Sequence, residues 1–209
     1  MKKINLITLF LISLFSFSLD IKVNEEVETM EGKKHGNFII YIDKIGKEIG
    51  TYINGRKQGD ALFLWDNGNR EESTYVDNKK EGKAILYIPS GSREESIYKD
   101  GQRNGAYTFY SIKGYTETGT YEKDLKKGPA TIYNLNGDKE ELNYINDNKE
   151  GKYTIYFTNG NKEEGTYINN IKNGKFTMYY SDGSYEEDTY INGIKQNKPT
   201  KYNLNNNVE

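Results

Sequence analysis

The sequence predicts an all-β protein, an extended single-layer antiparallel meander of repeated β-hairpins, and three observations lead to this prediction. Glycine and tyrosine recur with a period of 23 residues. Asn-Gly and Asp-Gly dipeptides recur between β-branched and aromatic runs, as in tight hairpins that need positive φ. Hydrophobic residues make up only 34% of 209 residues, yet 19 are tyrosine. The chain is therefore too polar for a thick core and too aromatic for disorder.

Residues 1–18 are predicted to be a secretory signal. Lys2 and Lys3 supply positive charge, the apolar run 4–17 follows, and Ser16-Phe17-Ser18 forms a small-x-small site, which places cleavage after Ser18. The apolar run is shorter than the roughly 20 residues that a spanning helix needs. An uncleaved anchor or a buried first helix is the alternative. We therefore expect the protein to be exported, and to be secreted, periplasmic or at the cell surface.

Residues 36–196 are predicted to form seven repeats of 23 residues, which share one frame. The periodic positions are glycine (Gly36, Gly59, Gly82, Gly105, Gly128, Gly151, Gly174), a first tyrosine row (Tyr52, Tyr75, Tyr98, Tyr121, Tyr144, Tyr167, Tyr190), a second tyrosine row (Tyr41, Tyr87, Tyr110, Tyr133, Tyr156, Tyr179, Tyr202), glutamate (Glu48, Glu71, Glu94, Glu117, Glu140, Glu163, Glu186) and a basic residue (Lys57, Lys80, Arg103, Lys126, Lys149, Lys172, Lys195). Residues 19–35 and 197–209 fit half-repeats, and we expect them to cap the array.

Each repeat is predicted to be one hairpin. The run 153–157 is aromatic and β-branched, and Asn159-Gly160, residues 163–168 and Asn169-Asn170 follow it. This order indicates strand, turn, strand, turn. Successive hairpins would form about 15 or 16 strands, with equivalent residues of neighbouring repeats roughly 10 Å apart.

The spacing of glycine, tyrosine and Asn-x-x-Lys within 160–174 resembles the MORN repeat, and more closely its bacterial variant form. The resemblance implies an extended MORN-like sheet that acts as a scaffold, a protein-binding surface or a membrane-associated module. The repeat lacks the tryptophan and part of the glycine pattern of the eukaryotic form, so a membrane surface is not expected as the primary partner. Some bacterial relatives carry an antitoxin label, which makes toxin neutralisation one alternative function.

The tyrosine rows are the candidate binding residues, because aromatic faces offer large contact areas to proteins or sugars. The central members of the two rows are Tyr87, Tyr98, Tyr110, Tyr121, Tyr133, Tyr144, Tyr156 and Tyr167. The competing interpretation is structural. Cross-strand rings stabilise a single-layer sheet and cover small residues such as Gly50, Gly119 and Gly165. The structural interpretation carries more weight.

The charged columns are predicted to be exposed stripes that keep the sheet soluble and protect its edges. Successive glutamates on a strand point to opposite faces, so they do not form a two-carboxylate catalytic site. With 29 basic and 31 acidic side chains, the chain lacks the basic excess that nucleic acid requires.

No enzymatic chemistry is expected. His35 is the only histidine and there is no cysteine. We find no nucleophile elbow or phosphate-binding loop, and no Asp-x-Asp spacing for calcium. No cofactor or metal is therefore predicted.

These observations favour an exported, non-catalytic repeat protein that presents an extended β surface to a protein partner, with host or envelope proteins as the expected class. A carbohydrate-binding adhesin that uses the tyrosine rows is the second hypothesis.

Overall fold

The computed structural model describes residues 22–196, 199–205 and 207–208. Within these ranges the chain contains no helix and forms one open antiparallel sheet in which consecutive strands pair. The predicted all-β meander is therefore confirmed. The predicted signal segment 1–18 lies outside the described residues, as do residues 19–21, 197–198, 206 and 209 of the two predicted half-repeats.

The strand segments of the described residues run in chain order. They are β1 (Val23–Met30), β2 (Lys33–Ile42), β3 (Gly46–Ile53), β4 (Arg56–Trp65), β5 (Arg70–Val76), β6 (Lys79–Lys80), β7 (Gly82–Tyr87), β8 (Arg93–Lys99), β9 (Gln102–Tyr110), β10 (Thr116–Glu122), β11 (Leu125–Lys126), β12 (Gly128–Tyr133), β13 (Lys139–Ile145), β14 (Asn148–Lys149), β15 (Gly151–Tyr156), β16 (Lys162–Ile168), β17 (Ile171–Lys172), β18 (Gly174–Tyr179), β19 (Tyr185–Ile191), β20 (Ile194–Lys195) and β21 (Thr200–Tyr202). The two-residue segments β6, β11, β14 and β17 each begin the strand that follows them, and β20 is counted with β21 because both pair with β19. Counted in this way, the described residues form sixteen strands.

A two-residue bulge interrupts each repeat at its periodic glycine. Tyr75 pairs with Lys80 and Glu72 pairs with Ile85, so two residues of β5 oppose four residues between β6 and β7. Gly82 has a φ of 76°, and the periodic glycines of all seven repeats have φ between 73° and 138°, a region that glycine enters without strain. Bulges bend a strand and increase its twist, so the sheet curves once in every repeat.

Two kinds of turn connect the strands. At Asn54-Gly55 and Asn192-Gly193 both residues have positive φ, as type I′ hairpins require. At Asn67-Gly68 only the glycine has positive φ. The expectation of positive φ thus holds for the glycine in every predicted dipeptide, and for the preceding residue only in the first kind of turn.

The two faces of the sheet differ in packing. We call the side that carries Glu48, Gly50 and Tyr52 the packed face, and the side that carries Ile49 and Thr51 the open face, because successive strand residues alternate between faces. All hydrophobic side chains that are buried among the described residues lie on the packed face. They are Phe38, Tyr52, Ala61, Tyr75, Ala84, Tyr107, Tyr121, Ala130, Ile132, Leu142, Tyr144, Tyr153 and Phe176.

Large and small side chains alternate on the packed face. Phe38 pairs with Gly50, and a Cβ on Gly50 would lie 2.8 Å from the Phe38 ring. Where an alanine replaces the ring, as at Ala61, its partner is the larger Ser73. Packing to native density requires this compensation. The rings that cover the glycines were expected in the two tyrosine rows, but they belong to a third column that contains Phe38.

Candidate functional site

The packed face carries a cluster of three side chains that repeats along the array. Glu48 accepts hydrogen bonds from Lys57 Nζ at 2.5 Å and from Tyr75 Oη at 2.7 Å. The lysine lies nine residues after the glutamate and the tyrosine lies 27 residues after it, in the next repeat. Glu71 accepts in the same way from Lys80 and Tyr98. These two clusters therefore each join two neighbouring repeats, whereas Glu117 and Glu163 accept hydrogen bonds from Tyr107 and Tyr153 of their own repeats.

The glutamates of these clusters are buried, so their prediction as exposed stripes was wrong. Glu48 and Glu71 are each only 6% exposed. The sequence pattern misled because a charged column usually faces solvent, whereas here each carboxylate has charged and hydroxyl donors within the sheet. Such partners make the burial of a carboxylate tolerable.

The cluster contacts determine the protonation of its members. Burial alone would raise the pKa of the Glu117 carboxyl, but hydrogen bonds from Lys126 and Tyr107 outweigh burial and hold this pKa below its usual value. Burial, with the nearby carboxylates of Glu140 and Glu163, raises the pKa of Tyr167 to about 12. The tyrosines therefore stay protonated at physiological pH and act as hydrogen-bond donors.

The eight candidate tyrosines lie on opposite faces. The four of the first row are on the packed face: Tyr98, Tyr121, Tyr144 and Tyr167. The four of the second row are on the open face: Tyr87, Tyr110, Tyr133 and Tyr156. The structure does not bring the rows together. The sequence separation of the rows predicts this arrangement. Gly82 pairs with Tyr98, and paired residues share a face. Tyr87 lies five residues after Gly82, an odd number, so its side chain is on the opposite face.

On the open face, a cation lies over the ring of four tyrosines of the second row, which are Tyr87, Tyr110, Tyr156 and Tyr179. The Arg70 guanidinium carbon is 4.2 Å from the centre of the Tyr87 ring, and Arg93 is placed identically over Tyr110. The cation also forms an ion pair with a glutamate two residues further on, as Arg70 does with Glu72 at 3.2 Å. Tyr133 remains 49% exposed. These are surface contacts that leave rings accessible to a partner.

The open face of the first repeats forms a trough of about 1110 Å³. Its floor contains the half-buried apolar side chains of Ile39, Ile49, Leu62 and Ile85. Four carboxylates also line the trough. Glu72 lies between Leu62 and Ile85, and the others are Glu26, Glu28 and Asp60. The sequence reasoning missed this trough, although its floor is visible as apolar residues at 23-residue spacing.

Neither a metal site nor a transmembrane helix is found in the described residues. They contain no group of three or more His, Cys, Asp or Glu side chains placed to hold a metal ion. None of them belongs to a helix with the length and apolarity needed to cross a bilayer. His35 is half-buried on β2.

Comparison with known proteins identifies the repeats. The MORN repeat family matches residues 49–70, 72–93 and 164–185. Among solved structures, the chain is similar to the wild-type TCP10 domain of Danio rerio CPAP, with 14% identity and a TM-score of 0.44 over 90% of this chain and 92% of that chain. It is also similar to the SAS-4 TCP domain of Drosophila melanogaster, solved with a proline-rich motif, with 15% identity and a TM-score of 0.43 over 72% of this chain and 82% of that chain. No curated protein matches the sequence.

Proposed function

We propose that this chain, which contains MORN repeats, is an exported, non-catalytic repeat protein whose open face binds a protein partner. Host or envelope proteins are the partner class that fits an exported protein. The proposal joins two parts, a binding surface and a location, and each has its own test.

The observation that carries the proposal is the difference between the two faces. On the packed face, the Glu–Lys–Tyr clusters use the polar groups of each repeat and the rings cover the glycines. The open face instead offers Tyr133 and Tyr156, which are exposed and one repeat apart. Accessible aromatic rings favour protein contacts because they bury a large area at a small entropic cost.

The use of the periodic glutamates supports a non-catalytic role. Glu48, Glu71 and Glu117 accept hydrogen bonds from cluster lysines and tyrosines. Carboxylates that are held by neighbouring side chains in several successive repeats serve the sheet rather than one reaction centre.

Photo-crosslinking in the native cells tests the binding surface. A photoreactive phenylalanine analogue replaces Tyr133 or Tyr156, and the control carries it at Leu135, which is 80% exposed in a turn. We expect both open-face positions to capture the same protein and Leu135 to capture none. Adducts at Leu135 alone, or none at the two tyrosines, would contradict binding through the open face.

N-terminal sequencing after cell fractionation tests export. A mature protein that begins at Leu19 outside the cytoplasm supports it. A cytoplasmic protein that begins at Met1 contradicts it, and toxin neutralisation then becomes the stronger hypothesis.

The exposed second row also favours one alternative, a carbohydrate-binding adhesin. Tyr133, Tyr156 and Tyr179 are partly exposed and repeat about every 10 Å along the open face, a spacing at which alternate sugars of an extended glycan can stack. Loss of glycan binding in Tyr133→Ala, with an unchanged unfolding midpoint, would favour the adhesin. A glycan screen without binding would remove it.

A further inference from the structure

The trough on the open face has an apolar floor that the sheet itself does not require. Ile39, Leu62 and Ile85 occupy equivalent positions in the first three repeats. The same position in the next four repeats is threonine, at Thr108, Thr131, Thr154 and Thr177. Because those repeats form the same strands and bulges, a polar side chain is compatible with the fold here. The apolar residues are therefore an addition to the first three repeats.

The floor is one row of paired residues across neighbouring strands. Ile39 of β2 pairs with Ile49 of β3, which pairs with Leu62 of β4. Glu72 of β5 pairs with Leu62 on one side and with Ile85 of β7 on the other, so one carboxylate interrupts the apolar row. With strands about 4.8 Å apart, the row from β2 to β7 is about 19 Å long, which corresponds to about six residues of an extended peptide.

The charged side chains that line the trough are mostly acidic. There are four carboxylates and one ammonium group, that of Lys83, which is already paired with Glu95 at 2.9 Å. Glu72 is paired with Arg70, whereas Glu26 and Glu28 form no ion pair with any residue that the structure describes. An occupant with positive charge beside its apolar side chains would complement these carboxylates.

From these observations we infer that the trough binds an extended segment of a partner protein in which basic and apolar side chains alternate. Its apolar side chains contact Ile39, Ile49, Leu62 and Ile85, and its long basic side chains reach the carboxylates of Glu26, Glu28, Asp60 and Glu72 beside and within this row. This inference rests on the proposed function, since it assigns one site and one class of partner segment to the open face.

A defined peptide provides the direct test. The probe is a synthetic seven-residue peptide of alternating lysine and valine, and its control replaces each lysine by glutamate. We expect the basic peptide to bind with an affinity that falls as salt rises, and to shift the methyl resonances of Ile39, Ile49 and Ile85. Equal binding of the acidic peptide, or no shift at these methyl groups, overturns the inference.

Variants that imitate other repeats keep the fold and isolate the site. Leu62→Thr with Ile85→Thr introduces the residue that later repeats carry, and we expect binding about tenfold weaker. Glu72→Gln should also weaken binding. Its matched control is Glu164→Gln, because Glu164 occupies the same position three repeats beyond the last repeat of the trough and is likewise paired with a cation two residues earlier. Equal effects of the two Gln variants overturn the assignment.

Two further outcomes separate this inference from the proposed function. The chain's own residues 1–18 also combine lysines with an apolar run. If the basic peptide binds a chain that begins at Leu19 but does not bind the full-length chain, the trough is occupied by residues 1–18. That result would overturn the inference that the trough binds a partner protein. If the photoreactive analogue at Tyr133 or Tyr156 still captures the partner in Leu62→Thr with Ile85→Thr, the trough assignment is overturned and the proposed function remains intact. If the analogue captures no protein at either position in the chain without these threonine substitutions, both are overturned.

Discussion

The contact between Gly165 and the Phe176 ring makes a specific prediction about the packed face. A Cβ at position 165 would lie 2.3 Å from Phe176 Cε1 and 2.4 Å from Cδ1. Phe176 is only 3% exposed, so its ring cannot move into solvent. The backbone at Gly165 is outside the left-handed region, and the strain in Gly165→Ala would therefore come from packing alone.

The magnitude follows from two opposing effects. Overpacking of a buried site costs about 1–3 kcal/mol, whereas replacing a strand glycine by alanine returns about 0.5–1 kcal/mol. We expect Gly165→Ala to lose about 1–2 kcal/mol of unfolding free energy and to melt about 2–8 °C lower.

Urea unfolding followed by circular dichroism measures this loss. Gly119→Ala is the matched control, because its Cβ would lie 2.9 Å from Tyr107 and should cost less. Adding Phe176→Leu to Gly165→Ala should recover part of the stability, since the smaller side chain makes room. A Gly165→Ala protein as stable as the unaltered one, or no less stable than Gly119→Ala, would refute the packing argument.

Three further predictions concern the clusters. Glu117→Gln should lower the free energy of unfolding by about 1–3 kcal/mol. The pKa of Glu117 in the folded protein lies below its ordinary value, so the carboxylate stabilises the fold at pH values above that ordinary pKa. This contribution is lost as pH falls through the pKa of the folded protein. Urea titrations at decreasing pH should show a weaker acid dependence in the variant, and an unchanged dependence would contradict this. Tyr98→Phe should cost about 1 kcal/mol because it removes a bond to Glu71, whereas Tyr87→Phe on the open face should be nearly neutral in the same urea assay; equal costs would contradict the separation of the faces. The pKa of Tyr167 is raised to about 12, so its protonated hydroxyl contributes fully to the free energy of unfolding below its ordinary pKa of 10.0, and this contribution is lost as pH rises towards 12. Tyr167→Phe should therefore lose less stability than the unaltered protein in alkaline urea titrations. An equal loss would contradict this prediction.

The fold could be predicted because its signals are local and repeated. Glycine at the bulges and Asn-Gly at the turns are imposed by backbone conformation, and the same residues recur in each repeat. Gly82 and Asn54-Gly55, for example, each have the positive φ that their residue types favour. Repetition turns such weak local preferences into one clear architecture.

The sites were harder to predict because they depend on which face a side chain occupies. The two-residue bulge shifts the pairing at each periodic glycine, so the burial of Glu48 beside Lys57 and Tyr75 requires the register of two strands and the next repeat. The trough likewise requires the strand pairing that places Ile39, Ile49 and Leu62 side by side. Composition and spacing alone place Glu48 and Glu72 in the same charged class, although one is buried in a cluster and the other is exposed at the trough.

The Glu–Lys–Tyr clusters also affect how an array of this kind can change length. In the clusters of Glu48, Glu71 and Glu94, the glutamate and the basic residue come from one repeat and a tyrosine comes from the next, at separations of nine and 27 residues. A duplication of 23 consecutive residues in this part of the array keeps these separations, because it leaves the frame intact. An insertion between such a glutamate and its tyrosine changes their separation relative to the frame unless its length is a multiple of 23. This part of the array can thus grow or shrink by whole repeats, and each added repeat contains the partners for its own hydrogen bonds.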